Sequence, residues 1–133
     1  MYADVTIYLK NYCAIIAITY DNVYFAVPGQ VEDLTLTPYS HDVSVNWNKP
    51  ILNSYCVTHY VIYWVHTLSG SKDSSIVSSG DNSFVIEDLV ACVEYEVSVE
   101  AVNEEYESTV AVTRKTTTET VGNYPAQIIL LYL

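Results

Sequence analysis

The sequence predicts an all-β protein built as an antiparallel β-sandwich, and three observations support this prediction. Apolar and polar residues alternate with a period of two from about residue 28 onward, as in strands with one buried face. The gaps between these runs are rich in Gly, Pro, Asn, Asp and Ser, which favour turns. The 13 tyrosines against four glycines are typical of half-buried pleated surfaces.

The alternation is clearest at residues 43–47 and 95–101, where the odd positions are apolar and the even positions are mostly polar. Shorter apolar or β-branched runs predict further strands at residues 31–36, 60–65, 83–86 and 109–113. Short strands separated by polar turns favour a sandwich or barrel over βαβ units.

The composition limits what the chain can bind. Its 133 residues have room for one domain with short flanks, and half of them are hydrophobic, so a core can form without disulfides or metal. The chain carries 16 acidic and five basic residues, a net charge of −11. This charge repels phosphate backbones and anionic headgroups, so we expect no nucleic-acid partner and no acidic membrane surface.

No pattern of catalytic or cofactor-binding residues emerges. Four scattered glycines do not make a phosphate-cradling loop or a nucleophile elbow. His59 and His66 would lie roughly 20 Å apart along one strand, too far to share a metal, which favours solvated histidines at the strand ends. We expect a chain that is not an enzyme and has no cofactor, metal or small-molecule substrate.

Several spaced motifs resemble the fibronectin type III family over residues 28–120: Val43-x-Val45-x-Trp47-x-x-Pro50, Tyr60-x-Ile62-x-Trp64, Phe84-x-Ile86-x-x-Leu89 and Tyr95-x-Val97-x-Val99-x-Ala101. The resemblance implies an immunoglobulin-like, seven-stranded antiparallel sandwich whose core includes Trp47, Tyr60, Ile62, Leu89, Tyr95, Val97 and Val99. It also implies a tyrosine corner, in which the Tyr95 hydroxyl bonds to the chain just upstream. Two departures from the family pattern are Trp64 and the turn at residues 90–93, which lacks Pro-Gly.

An acidic segment stands where the resemblance implies the FG loop, and we take it as the candidate binding loop. Its residues are Asn103, Glu104, Glu105, Tyr106 and Glu107. Acid–base chemistry would need a cleft that pushes the pKa values of two carboxyl groups apart, which an exposed loop does not provide. The acidic residues also lack the spacing of a calcium-binding EF-hand. A solvated acidic loop is therefore the simpler alternative. Because no Arg-Gly-Asp triplet is present, the integrin-binding mode of the family does not transfer.

The three cysteines leave two alternatives open. In the resembled fold Cys56 precedes the third strand and Cys92 lies in the turn at the opposite pole, so a Cys56–Cys92 disulfide is a geometrically awkward candidate. The alternative is that these two residues and Cys13 are thiols. No Asn-x-Ser/Thr sequon occurs, so glycosylation gives no support for an extracellular site.

The flanks on either side of residues 28–120 are β-prone. In residues 1–27, alternation at 5–9 and 12–18 predicts either the tail of a preceding, truncated repeat or a separate hairpin that adds to the sandwich edge. Residues 121–133 read as a linker and the start of a following domain. From the residue pattern we expect neither a signal peptide nor a transmembrane helix in this sequence.

These features together predict a non-catalytic, protein-binding spacer module. We expect one repeat of a multidomain cell-surface or extracellular adhesion or receptor protein, whose partners are other proteins and neighbouring fibronectin type III repeats. The extracellular location follows from the resemblance alone. The alternatives are an accessory spacer domain of a secreted enzyme and a repeat of an intracellular cytoskeletal array.

Overall fold

The described part of the chain consists of β-strands and one short helical turn. A computed structural model describes residues 17–19, 22–24, 27–103 and 111–118, with 17–19 and 22–24 described by their backbone only. A 3-10 helix, Ser54–Cys56, lies between the fourth and fifth strands. The strands are β1 (Ala17–Thr19), β2 (Asn22–Tyr24), β3 (Glu32–Pro38), β4 (Val43–Asn48), β5 (His59–His66), β6 (Lys72–Ser78), β7 (Ser83–Ile86), β8 (Glu94–Val102) and β9 (Val112–Thr117).

Seven strands form two antiparallel sheets that face each other across one core. The first sheet has the order β3-β4-β7, and the second has the order β6-β5-β8-β9. Buried side chains of both sheets belong to a single hydrophobic cluster, so the two layers make a sandwich. The prediction of a seven-stranded antiparallel sandwich is confirmed.

The period-two pattern of the sequence becomes the two faces of each strand. In β8 the odd positions are buried and the even positions are half-buried or exposed, and β4 follows the same parity. Because successive side chains point to opposite faces, this alternation places one row of each strand in the core. All the side chains proposed as core from the sequence are buried: Trp47, Tyr60, Ile62, Leu89, Tyr95, Val97 and Val99.

Aromatic side chains join the two sheets at the centre of the core. Trp47 of β4 meets Tyr60 of β5 edge-to-face, with ring centroids 5.3 Å apart and an interplanar angle of 62°. Trp64 of β5 packs near Phe84 of β7 at 6.3 Å, so this bulky departure from the family pattern is accommodated against the opposite sheet. Such aromatic pairs add about 0.5–1.5 kcal/mol beyond the area that they bury.

The turn between β7 and β8 is fastened by the tyrosine corner. The Tyr95 hydroxyl accepts a hydrogen bond from the backbone N–H of Val90 at 3.1 Å. The Leu89 N–H donates to the carbonyl of His41 at 2.7 Å, which ties this turn to the one between β3 and β4. Cys92, in the same turn, has φ = 60°, a left-handed conformation that favours glycine.

Thr118, directly after β9, fastens the same turn from the other side. Its hydroxyl donates to the carbonyl of Val90 at 2.7 Å and accepts from the N–H of Val93 at 3.0 Å. The Thr118 N–H also donates to the carbonyl of Val93 at 3.0 Å. The buried residue that follows the last strand of the sandwich is therefore hydrogen-bonded to the turn between β7 and β8.

The N-terminal flank contains a hairpin. Strands β1 and β2 pair antiparallel, with Ala17 opposite Tyr24 and Thr19 opposite Asn22. Within the described residues they pair only with each other and extend neither sheet of the sandwich. The other predicted strand of this flank, at residues 5–9, and the C-terminal segment 121–133 lie outside the described residues.

Two strands differ from those expected from the residues. β6, Lys72–Ser78, falls partly where a turn was predicted and where no strand was expected. β9 spans Val112–Thr117, whereas the predicted closing strand was 109–113. Both are edge strands of the four-stranded sheet, so fewer of their side chains are buried.

Candidate protein-binding surface

The acidic segment proposed as a binding loop begins with a buried residue. Asn103 follows β8 directly and is only 4% exposed. Because the odd positions of β8 from Tyr95 to Ala101 face the core, the next odd position also points inward. The expectation that Asn103 lies in an exposed loop is therefore wrong. The alternation of buried and exposed positions along β8 was the sequence signal that indicates its burial. The rest of the segment lies outside the described residues: Glu104, Glu105, Tyr106 and Glu107.

An apolar cluster lies on the outer face of the four-stranded sheet. We call it the outer patch and define it as Val61, Tyr63 and Val65 of β5 with Ile76 of β6. Ile76 is 73% exposed and Tyr63 is 41% exposed, whereas the two valines are half-buried. Ile76 lies directly opposite Val61, so their side chains are neighbours on one face. Sequence reasoning missed this patch because it did not predict β6.

The outer patch has an acidic border on β8. Glu100 lies opposite Val61, and the Tyr63 hydroxyl donates to Glu100 Oε2 at 3.4 Å. Burial raises the pKa of Tyr63, and the negative charge and hydrogen bond of Glu100 raise it further. The patch therefore presents apolar surface next to fixed negative charge.

A second exposed apolar cluster lies on the loop between β4 and β5. We call it the loop tip and define it as Ile51, Leu52 and Tyr55, which are all exposed. The loop is fastened to the entering chain, because the Gly29 N–H donates to the carbonyl of Leu52 at 2.8 Å. A Cβ on Gly29 would lie 3.1 Å from Leu52 Cβ, so the close approach favours glycine.

The edge strands β3 and β9 border a shallow cleft between the two sheets, lined by residues 33–36 with Arg114 and Lys115. Arg114 lies opposite the buried Val97, so it occupies a position on the inner face of β9, yet it is exposed at the edge. An inward-pointing charge on an edge strand disfavours pairing with another chain. This edge is therefore poorly suited to strand addition.

The candidate disulfide between Cys56 and Cys92 is not formed. Cys56 is buried in the 3-10 helix before β5, and Cys92 is exposed in the turn before β8. His66, at the far end of β5, pairs with Tyr95, so the two cysteines lie near opposite ends of β5. The length of that strand separates them by about 23 Å, whereas a disulfide needs Cα atoms within about 7 Å. Cys13 lies outside the described residues.

The histidines of β5 lie at its two ends. His66 is half-buried, and its ring meets Tyr95 edge-to-face at 5.4 Å. The His66 Nδ1 accepts the N–H of Ser69 at 3.1 Å, so this residue organises the following turn and is less solvated than expected. Within residues 27–103 and 111–118, no three His, Cys, Asp or Glu side chains are grouped as metal ligands would be. No helix among the described residues is long and apolar enough to cross a membrane.

The two facing antiparallel sheets, the tyrosine corner and the loops at both poles define an immunoglobulin-like β-sandwich module. The fibronectin type III domain model matches residues 29–117. This chain therefore belongs to the fibronectin type III family. No curated protein sequence matches the chain significantly.

Solved structures support the same assignment. The fn3 domain of the human collagen alpha-1(XX) chain is 21% identical with a TM-score of 0.61, and the match covers 72% of this chain and 90% of that one. A two-domain fibronectin type III segment of chicken tenascin is 25% identical with a TM-score of 0.60, covering 66% and 48%. The FN5 domain of Drosophila Lar is 23% identical with a TM-score of 0.52, covering 68% and 98%. The likenesses below 25% identity show the fold.

Proposed function

We propose that residues 28–120 act as a non-catalytic protein-binding and spacer module, one repeat of a multidomain cell-surface or extracellular adhesion or receptor protein. Fibronectin type III domains are commonly non-catalytic modules of multidomain proteins and typically mediate protein–protein interactions. The match to chicken tenascin covers 48% of a two-domain segment, about one of its two domains, which supports an arrangement in tandem. Neighbouring fibronectin type III repeats are thus part of the proposal.

The observation that carries the binding function is the outer patch. A side chain such as Ile76, which is 73% exposed on a rigid sheet, loses contact with water only when a partner covers it. Glu100 borders the patch, and the segment 104–107, with three glutamates, follows β8 from the same end of the sheet. Negative charge beside apolar surface fits a partner protein with a basic, partly apolar face.

The candidate binding loop remains part of this proposal in a narrower form. Asn103 is buried and serves as the base of the loop, so direct contact is assigned to Glu104, Glu105, Tyr106 and Glu107. Loops on a rigid sandwich are common binding elements. The charge of these residues would speed the encounter with a basic partner, and the outer patch would contribute the contact area.

Variants of the full chain test the proposal. The immobilised chain is incubated with the secreted and cell-surface proteins of its source, and the affinity of any retained protein is measured with each variant. Ile76→Ser removes the most exposed side chain of the patch, and we expect affinity to fall about tenfold or more. Val85→Ser is the matched control, because Val85 is also exposed but on the outer face of the other sheet.

Two outcomes would contradict the binding proposal. One is that no protein is retained by the full chain, and the other is that Ile76→Ser and Val85→Ser bind equally well. A basic partner also implies that added salt weakens the affinity of the unchanged chain.

A repeat of an intracellular array is the second candidate, and the thiols favour it. Cys92 is exposed and not joined to Cys56, which is unusual in an oxidising compartment. Mass spectrometry of the natural protein under non-reducing conditions separates the two locations. Cys92 bridged to another chain or capped supports the extracellular assignment, and three reduced thiols support the intracellular one.

A further inference from the structure

The loop tip, formed by Ile51, Leu52 and Tyr55, is apolar although it lies at the surface. Ile51 is 87% exposed, Leu52 63% and Tyr55 73%. Three large apolar side chains within five residues of one loop are therefore exposed together, and exposed apolar patches mark interaction sites. The outer patch lies elsewhere, on the face of a sheet, so the loop tip needs its own explanation.

The loop that carries these side chains is braced by a 3-10 helix and by internal hydrogen bonds. Its 3-10 helix places Cys56 in the core, and the Cys56 N–H donates to the carbonyl of Asn53 at 2.9 Å. The Tyr55 hydroxyl donates to Asn53 Oδ1 at 3.4 Å. Ordering a patch in advance lowers the entropy lost when a partner covers it.

The chain that enters the sandwich is bonded to this loop at two points. The Gly29 N–H donates to the Leu52 carbonyl at 2.8 Å, and Asn53 Nδ2 donates to the Val27 carbonyl at 2.9 Å. β2 ends at Tyr24, three residues before Val27. Three residues span at most about 11 Å, so the N-terminal hairpin is held close to the loop tip by its connection alone. A segment tethered at such short range has a high effective concentration.

We propose that residues 1–26, the segment that precedes the sandwich, pack against the loop tip. This contact makes a fixed joint between that segment and the sandwich. The occupant is apolar enough for this role, because every residue from 13 to 18 is apolar, three of them isoleucines. This inference rests on the proposed function, since it takes residues 1–26 as part of a neighbouring repeat. The joint holds the two units at a set angle, where a linker without contacts would let them swivel.

The test uses the full chain with a photo-crosslinking amino acid, p-benzoylphenylalanine, at position 51 or, as a control, at position 68. Leu68 is the matched control because it is also 87% exposed but lies after the opposite end of β5. Illumination at low protein concentration followed by peptide mass spectrometry locates the crosslinks. We expect position 51 to crosslink within the same chain to residues 1–26, and position 68 not to do so.

A second measurement does not depend on the crosslinker. Hydrogen exchange of the amides in β1 and β2 is compared between Ile51→Ser and Leu68→Ser in the full chain. Losing an apolar contact at Ile51 should reduce protection in the hairpin by about tenfold, and Leu68→Ser should leave it unchanged.

Several results would overturn the joint. They are crosslinks from position 51 only to a second copy of the chain, no crosslink to residues 1–26, and equal hairpin protection in the two serine variants. These results would leave the protein-binding proposal intact, because that one stands or falls on Ile76→Ser at the outer patch. Loss of partner binding together with crosslinks from position 51 to residues 1–26 would instead overturn the protein-binding proposal and leave the joint intact.

Discussion

The hydroxyl of Tyr95 on β8 accepts a hydrogen bond from the backbone N–H of Val90, 3.1 Å away in the preceding turn. Tyr95→Phe removes this acceptor and leaves a partly buried N–H unsatisfied. We expect the free energy of unfolding to fall by about 1–2 kcal/mol. Urea denaturation of the full chain, followed by tryptophan fluorescence, measures the change.

Tyr60→Phe is the matched control for that substitution. The Tyr60 hydroxyl is buried beside Trp47, and among the described residues it makes no well-formed hydrogen bond. Removing a buried hydroxyl of this kind should change the free energy of unfolding by less than about 0.5 kcal/mol or raise it. Equal losses in the two variants would show that the bond to Val90 contributes nothing specific.

The left-handed backbone of Cys92 predicts a stabilising substitution. Its φ of 60° is strained for a residue with a Cβ. Cys92→Gly should raise the free energy of unfolding by up to about 1 kcal/mol, because the relief of strain exceeds the added chain entropy. Ala91, next to it, does not have a positive φ. Ala91→Gly should lower the same free energy by about 0.5–1 kcal/mol, and a shared sign would count against the strain argument.

Thr118 gives a prediction about the end of the sandwich. Its hydroxyl serves the carbonyl of Val90 and the N–H of Val93, so Thr118→Val leaves both backbone groups unsatisfied. We expect a loss of about 1–3 kcal/mol in thermal or urea unfolding. Thr117→Val changes an exposed neighbour in the same way and should cost less than about 0.5 kcal/mol. A neutral Thr118→Val would place the end of the folded unit before residue 118.

The pair Tyr63 and Glu100 predicts a response to alkaline pH. Burial and the Glu100 carboxylate raise the pKa of Tyr63, so the folded chain holds this proton at a pH where the unfolded chain has released it. The associated stability is fully present below about pH 10 and is lost as the pH rises through the folded-state pKa. Burial raises the pKa of Tyr60 as well, which adds to the alkaline loss.

Glu100→Gln isolates the electrostatic part of that shift. It should lower the pKa of Tyr63 towards its ordinary value, with the part caused by burial remaining. Carbon NMR of labelled tyrosines, titrated from about pH 8 to 12, reads each phenol separately. Glu96→Gln removes another carboxylate from the same strand and should leave Tyr63 nearly unchanged. A pKa of Tyr63 that does not respond to Glu100→Gln would refute the pairing.

The strands with one buried face could be read directly from the residues. In β4 and β8 the core row is apolar and the outer row mostly polar, so the period of two is visible in Val43 to Trp47 and Tyr95 to Ala101. The tyrosine corner could also be predicted, because the spacing between Leu89 and Tyr95 resembles that of the family. The hydrogen bond between the Val90 N–H and the Tyr95 hydroxyl agrees with this prediction.

The edge strands were harder to predict from the sequence, for a physical reason. β6 turns Asp73, Ser75 and Val77 towards the inside, but only Val77 is buried, so its sequence resembles a polar loop. β9 has Arg114 and Thr116 on its inner row, because an edge strand covers the core incompletely. The outer patch depends on the pairing of β5 with β6, which is a long-range contact that local periodicity does not contain.

The connections at Gly29 and Thr118 have a mechanical consequence. The chain enters bonded to the loop before β5 and leaves bonded to the turn before β8, which lie at opposite poles. In the tandem array proposed above, tension between neighbouring units would therefore run along the length of the strands. β3 lies antiparallel to β4 and β9 to β8, so this tension would strain their ladders in shear, with many hydrogen bonds sharing the load at once.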